Sequence, residues 1–174
     1  MDNYLLTDIT GSGVATLTMN RPEVHNAFDD SLIAEFIRTL KALEANPQVR
    51  LLILAASGKS FSAGADLGWM RRMADYSHDE NLQDALQLAE LMKCLDRFSK
   101  PTIAQVQGAA YGGGVGLVAC CDMVIASDKA SFCLSEVKLG LIPAVISPYV
   151  VSAIGTRHAR RYFLSAERFG AEEA

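Results

Sequence analysis

Two short apolar segments, each followed by a loop of small residues and then a helical pattern, constrain the fold of this chain most strongly. The first segment is Val49–Leu54 and the second is Thr102–Val106. Apolar runs of this length are typical of strands buried on both faces of a parallel sheet. Because parallel strands need a crossover between them, usually a helix, the pattern predicts an α/β fold.

The remaining segments fit the same class. Tyr4–Thr10 and Val14–Met19 alternate in polarity and predict a hairpin. Helical spacing of apolar residues predicts helices over Asp29–Ala45 and over His78–Phe98, the second with Leu82, Leu86, Ala89, Met92 and Leu95 on one face. Further elements are expected at Asp66–Ala74, Val115–Cys121, Met123–Ala126, Ser131–Cys133, Ser147–Ile154 and Thr156–Leu164, with a new helix beginning near Glu167. The element order indicates repeated β-β-α units in a single domain over residues 1–174.

Composition excludes several classes of protein. The net charge is −4 and no dense run of Lys and Arg is present, which argues against nucleic acid as a partner. No apolar stretch reaches the roughly 18 residues of a membrane span, and the first residues do not form a secretory signal. The four cysteines form no C-x-x-C pair and are expected to be buried free thiols in a reducing, cytoplasmic compartment, rather than a zinc or disulfide framework: Cys94, Cys120, Cys121 and Cys133.

Two loops carry the candidate chemistry, Phe61–Asp66 and Gly108–Gly114. Each follows a buried strand and leads into a helix, where ligands of α/β proteins gather and where backbone N–H groups lack partners. Two such loops could direct two N–H groups at one oxygen and stabilise an oxyanion or enolate. Close packing of helices on the sheet explains small residues equally well. A dinucleotide fingerprint fails because Leu117 stands where glycine or alanine is required, and the G-K-[ST] of a phosphate loop is absent.

Taken together, the motifs resemble the enoyl-CoA hydratase/isomerase (crotonase) family over residues 14–164. They are the two loops, Cys121-Asp122, the early Asn20-Arg21-Pro22-x-x-x-Asn26-Ala27, and Ser135-Glu136-Val137-x-x-Gly140-x-x-Pro143. The resemblance implies a spiral of β-β-α units, an acyl-CoA substrate whose coenzyme A is no separate cofactor, and trimers or hexamers of identical subunits. Family members continue with further C-terminal helices, so we expect this chain to be C-terminally short.

The resemblance also implies roles for individual residues. Ala65 and Gly113 would donate the two N–H groups to the thioester oxygen, and Glu136 would transfer a proton at a substrate carbon. Residues assigned to CoA and acyl binding are Val24, Ala63, Asp66, Leu67, Gly112 and Gly116. Independently, Glu136 is a lone carboxylate in an apolar stretch, where burial would raise its pKa into a range useful for acid–base catalysis. An ion pair with Lys138 or another cation is the alternative.

One position departs from the family pattern: typical hydratases carry a first glutamate where this chain has Gly116. Hydration would then use Glu136 alone or a group on the substrate. A double-bond isomerase needs only one carboxylate, and a CoA-binding remnant needs none. Thioester hydrolases and dehalogenases share the same frame. The stretch around the second loop resembles methylglutaconyl-CoA hydratases of leucine breakdown, and room at Gly116 would admit a branched or carboxylated acyl chain.

Overall fold

The computed structural model describes residues 4–174. In chain order, the strands are β1 (Leu5–Ile9), β2 (Val14–Met19), β3 (Leu51–Ala56), β4 (Ser60–Ser62), β5 (Thr102–Val106), β6 (Ala109–Tyr111), β7 (Met123–Ala126), β8 (Ser131–Cys133) and β9 (Phe169–Gly170). The helices are α1 (Asp30–Ala45), α2 (Leu67–Met73), α3 (His78–Asp96), α4 (Gly113–Ala119) and α5 (Ser147–Ser165), with 3₁₀ turns at Pro22–Val24 and Glu136–Leu139.

The strands lie in two sheets. The larger sheet has the order β1-β2-β3-β5-β7, and every neighbouring pair in it is parallel except the β1–β2 hairpin. The smaller sheet has the order β4-β6-β8-β9, in which only β9 is antiparallel. From β3 to β8 successive strands therefore alternate between the sheets, and a helical segment returns the chain from β4 and from β6 to the larger one. This confirms the predicted β-β-α repeat.

Two strands of the smaller sheet lie inside segments expected to be loops. Both β4 and β6 are only three residues long. Their residues are mostly small or polar, so neither shows the alternation or the apolar run that marks a strand. Pairing with neighbours distant in the chain, rather than local propensity, makes them strands.

The chain end also differs from expectation, because a strand rather than a helix follows residue 166. Ala166 adopts a left-handed conformation (φ 49°) that ends α5. The next segment pairs β9 with β8, and the Phe169 ring stacks on Phe132 and on Tyr162, with centroid separations of 5.5 and 4.1 Å. Aromatic burial of Phe169 thus directs the segment onto the sheet, and the expected helix near Glu167 is wrong.

Helices α1 and α3 pack together over the larger sheet. Asp29 caps α1 by accepting a hydrogen bond from the Leu32 N–H at 2.9 Å. The predicted apolar face of α3 is buried only toward its C-terminal end, where Leu91, Met92 and Leu95 join the core. Leu82 and Leu86 are 46% and 50% exposed, so the N-terminal half of that apolar face lies outside the core.

Three smaller predictions can be compared directly. Gly155 has non-helical backbone angles (φ 75°, ψ 159°) and divides α5 into the two expected helical parts. All four cysteines are unbridged, although only Cys120 and Cys133 are fully buried. Burial raises the pKa of the Cys121 thiol to about 12. In residues 4–174 no helix is long and apolar enough to cross a membrane.

Candidate active site

One cavity of about 560 Å³ contains the main predicted residues. Ala65, Gly113 and Glu136 all line it, although they are far apart in the chain. Its walls come from the two small-residue loops, from α2 and α3, and from the segment between residues 135 and 146. The parallel strands β4, β6 and β8 deliver these loops to the same edge of the smaller sheet, because each loop follows one of them.

The backbone N–H of Ala65 points away from Phe28, the residue with which Ala65 pairs. Phe28 pairs with Ala65 in an isolated parallel bridge. The Phe28 N–H donates to the Gly64 oxygen (2.9 Å), and the Asp66 N–H donates to the Phe28 oxygen (3.0 Å). In extended chain the residue between two such bonded neighbours points its own N–H to the opposite side. Within residues 4–174 the Ala65 N–H has no backbone acceptor.

Gly113 begins α4 and lies next to the first loop. A Cβ built on Gly64 would be only 3.3 Å from the Gly113 nitrogen, so the two loops are in close contact. Gly112, just before, has φ 51° and ψ −122°, a conformation that L side chains rarely adopt. As the first residue of a helix, Gly113 has an N–H without an intrahelical partner, and the described chain offers it no other backbone acceptor.

Glu136 is the titratable group of this cavity with a clearly perturbed pKa. Burial raises its pKa above the ordinary value of 4.5, because charge is disfavoured away from water. Its Oε1 would lie 3.3 Å from a Cβ on Gly112, and its buried Oε2 has no hydrogen-bond partner among the described residues. Among those residues no ion pair joins Glu136 to Lys138 or to another cation, so the salt-bridge alternative is wrong. A half-buried carboxyl with one oxygen unpaired among these residues therefore lines the same cavity as the two N–H groups.

The room expected at Gly116 is absent. A Cβ built there would be 2.9 Å from the Cβ of Ile146, closer still to its Cγ2, and 3.3 Å from the Cε of Met92. Ile146, not Gly116, forms the cavity wall at this point. The expectation of open space is wrong because the Ile146 side chain, distant in the sequence, occupies the volume that a glutamate side chain at position 116 would take.

The other predicted residues have different positions. Ala63, Leu67 and Gly112 line the cavity. The Asp66 carboxylate caps α2, accepting hydrogen bonds from the Gly68 N–H (2.8 Å) and the Trp69 N–H (3.1 Å), and does not line it. Val24 lies in the 3₁₀ turn outside the cavity wall.

Sequence reasoning missed the apolar walls of the cavity. Trp69, Met70 and Met73 of α2 face α3, and the Trp69 indole N–H donates to Asp84 at 3.0 Å. On α3 the cavity residues follow helical spacing: Asn81, Asp84, Ala85 and Leu88. This face was missed because the apolar spacing of Leu82 and Leu86 indicated the neighbouring face of the helix instead. The Trp-Met-x-x-Met spacing of α2 was a usable signal.

Comparison with known proteins gives a consistent result. The family model described as enoyl-CoA hydratase/isomerase matches residues 10–174. A solved structure of an enoyl-CoA hydratase from Shewanella pealeana superposes with a TM-score of 0.96 at 57% identity, covering 98% of this chain and 64% of that one.

Curated relatives agree with this result. A Thermus thermophilus protein provisionally assigned as an enoyl-CoA hydratase is 36% identical over 161 residues, covering 92% of this chain and 64% of that one. A trans-2-decenoyl-[acyl-carrier-protein] isomerase of Streptococcus mutans is 34% identical over 168 residues, covering 94% and 63%. The chain thus spans less than two thirds of the length of these relatives. With the β-β-α spiral, the family match and these relatives in agreement, this chain belongs to the enoyl-CoA hydratase/isomerase (crotonase) family.

Proposed function

We propose that this protein adds water across the double bond of a 2-enoyl-CoA thioester. The observation that carries the proposal is one cavity lined by Ala65, Gly113 and Glu136. Among residues 4–174 the two backbone N–H groups have no backbone acceptor and the Glu136 Oε2 has no hydrogen-bond partner. Coenzyme A enters as part of the substrate, with no separate cofactor. The match of residues 10–174 to the family supports this reaction class.

The two N–H groups form the oxyanion hole of the proposed mechanism. As the water oxygen bonds to C3, the C2=C3 electrons move toward the thioester and the negative charge develops on its oxygen. Donors already in place stabilise this enolate without reorganising, and loss of one such donor in other enzymes costs about 10²–10³ in kcat. Ala65 and Gly113 are backbone donors, so their position depends on the fold and not on side-chain rotamers.

Glu136 acts as both the general acid and the general base of the proposed reaction. Its raised pKa keeps the carboxyl protonated to higher pH than an exposed glutamate. The acid donates its proton to C2 of the enolate, and the resulting carboxylate accepts the proton that the water loses. The residue ends in its starting state, so one carboxyl suffices for the net addition of water.

Isomerisation of the double bond is the second candidate, and the structure around Gly116 favours it. The place of a second carboxylate is filled by the apolar Ile146. An isomerase needs one base, which removes a proton from C2 of a 3-enoyl thioester and returns it to C4. Comparing kcat/KM for crotonyl-CoA hydration with that for 3-hexenoyl-CoA isomerisation separates the two, and faster isomerisation would replace hydration as the main activity.

The decisive variant for either reaction is Glu136→Gln, which keeps the shape of the side chain and removes the acid. We expect turnover to fall by about 10²–10⁴, the usual contribution of a general acid–base group, with unchanged binding of butyryl-CoA. Glu172→Gln, an exposed carboxylate with no partner among the described residues, is the matched control. Full turnover in Glu136→Gln would remove Glu136 from the mechanism. No turnover in either form, with butyryl-CoA still bound, would favour a CoA-binding protein without this chemistry.

The finer assignments belong to the proposal as well. The assignment of a branched, methylglutaconyl-like acyl chain, as in leucine degradation, rests on the sequence resemblance alone, because Ile146 fills the space at Gly116. Turnover of crotonyl-CoA faster than 3-methylglutaconyl-CoA would exclude it. A cytoplasmic trimer or hexamer completes the proposal, and light scattering of the purified protein tests the assembly.

A further inference from the structure

Phe28 is the residue that touches both sides of the candidate oxyanion hole. It is 1% exposed, yet it lines the cavity. Its backbone brackets Ala65, through the bonds to Gly64 and Asp66 described above. Its ring packs on Gly113: a Cβ built on that glycine would be 3.1 Å from Cε2 and closer still to Cζ.

The register of this bracket is fixed by the residues before Phe28. The Ala63 N–H donates to the His25 oxygen and the Ser62 hydroxyl donates to the Asn26 oxygen, both at 2.9 Å. The Asn26 side-chain amide donates in turn to the carbonyl oxygens of Ser57 (2.8 Å) and Ser60 (2.9 Å). A slip of one residue along such an extended pair would turn the Ala65 N–H to the other side.

We propose that Phe28 is a positioning residue that sets the direction of the Ala65 N–H and, through its ring, the distance of Gly113 from it. The inference rests on the proposed function only in taking these two N–H groups as the donors to the thioester oxygen. The backbone of Phe28 holds one donor and the ring bears on the other. Changing the side chain therefore changes the distance between the two N–H donors, while the hydrogen bonds from the Phe28 backbone to Gly64 and Asp66 stay in place.

Two substitutions change the ring in opposite directions. Phe28→Leu removes the contact with Gly113. Phe28→Tyr adds an oxygen at Cζ, the atom nearest to Gly113, and so pushes on that residue. Both keep the backbone bonds. Phe36→Leu is the matched control, because Phe36 is equally buried in α1 and does not line the cavity.

The readout is a pair of CoA thioesters that differ in their need for an oxyanion hole. Acetoacetyl-CoA has an acidic C2 and binds as an enolate, which absorbs in the near ultraviolet, whereas butyryl-CoA stays neutral. The ratio of their dissociation constants, measured by titration, reports how strongly the two N–H donors stabilise the enolate. The general fit of a CoA thioester to the cavity affects both constants and cancels in the ratio. A misplacement of about 1 Å can cost about 10²-fold in catalysis, so we expect each Phe28 variant to lose about tenfold or more in enolate selectivity.

Several outcomes separate the possibilities. Lost selectivity in both Phe28 variants with an unchanged ratio in Phe36→Leu supports the positioning role, and thermal unfolding of all three identifies a variant that does not fold. If Phe28→Leu is unfolded, Phe28→Tyr alone decides. An unchanged ratio in the folded Phe28 variants overturns the inference. Wild-type protein that binds the enolate but turns over no enoyl-CoA contradicts the proposed function and leaves the role of Phe28 intact.

Discussion

Gly116→Ala measures directly whether Ile146 fills the place of the missing glutamate. In an open helix this change is favourable by about 1 kcal/mol, because alanine has the higher helix propensity. Here the new Cβ would lie 2.9 Å from the Cβ of Ile146 and 3.3 Å from the Cε of Met92. Carbon atoms prefer separations of about 3.5–4.0 Å, and overpacking a core costs about 1–3 kcal/mol. We therefore expect a net loss of up to about 2 kcal/mol in unfolding free energy.

A double-mutant cycle assigns that loss to the contact. Ile146→Ala removes the colliding Cγ2 and should itself cost about 2–5 kcal/mol as a large-to-small core change. In that background the Cβ of residue 146 remains 2.9 Å from the new Cβ and only the Cγ2 collision is relieved. Gly116→Ala should therefore cost less than in the wild-type background, with a coupling energy of about 1 kcal/mol. Urea unfolding followed by the fluorescence of Trp69, the single tryptophan, supplies the values. Gly11→Ala, whose Cβ would meet nothing within 4 Å, is the control for the added methyl. A stabilising Gly116→Ala in the wild-type background would refute the packing and restore the open pocket.

Four further predictions follow from single groups. Hydration should fall as the pH rises through the raised pKa of Glu136, because the acid form protonates C2, and a pH profile of kcat/KM that rises there would contradict this role. Glu136→Gln should also raise the melting temperature at pH values above the ordinary pKa of 4.5, where burial of the charged carboxylate destabilises the folded wild-type protein. Below that pH the carboxyl is neutral in both the folded and the unfolded state, so the substitution should leave the melting temperature unchanged. Asp66→Ala should cost about 1 kcal/mol through loss of the α2 cap, whereas Asp66→Asn keeps most of it, as urea unfolding will show. The Cys121 thiol should react slowly with iodoacetamide at pH 8 until the protein is unfolded, and rapid labelling of Cys121 in the native protein, located by peptide mass mapping, would contradict its raised pKa.

The sequence predicted the larger sheet well and the smaller sheet poorly. In the larger sheet β2, β5 and β7 match their expected bounds, because apolar and β-branched residues mark them locally. In the smaller sheet only β8 does so. β4 and β6 carry no such mark, and their pairing depends on contacts between segments about 50 residues apart in the chain, such as Ser60 with Ala109. A one-dimensional pattern cannot report those contacts.

The candidate site shows the same division. The grouping of Ala65, Gly113 and Glu136 in one cavity agrees with what the motifs implied, because loops after neighbouring parallel strands meet at one edge. The contents of the volume beside Gly116 could not be predicted, since Ile146 lies 30 positions further along the chain and shows no local relation to it. Asp66 illustrates a third case: its position in the motif suggested binding, and its carboxylate serves the helix.

Exchange of the C2 hydrogens of butyryl-CoA in D₂O tests the central claim, that Glu136 and two backbone N–H groups stabilise and protonate an enolate. The measurement requires neither hydration nor isomerisation, because butyryl-CoA has no double bond. NMR should show exchange catalysed by the wild-type protein, and loss of it by about 10²-fold or more in Glu136→Gln with butyryl-CoA still bound. Exchange that persists in Glu136→Gln would contradict the assignment of the proton transfer to this residue.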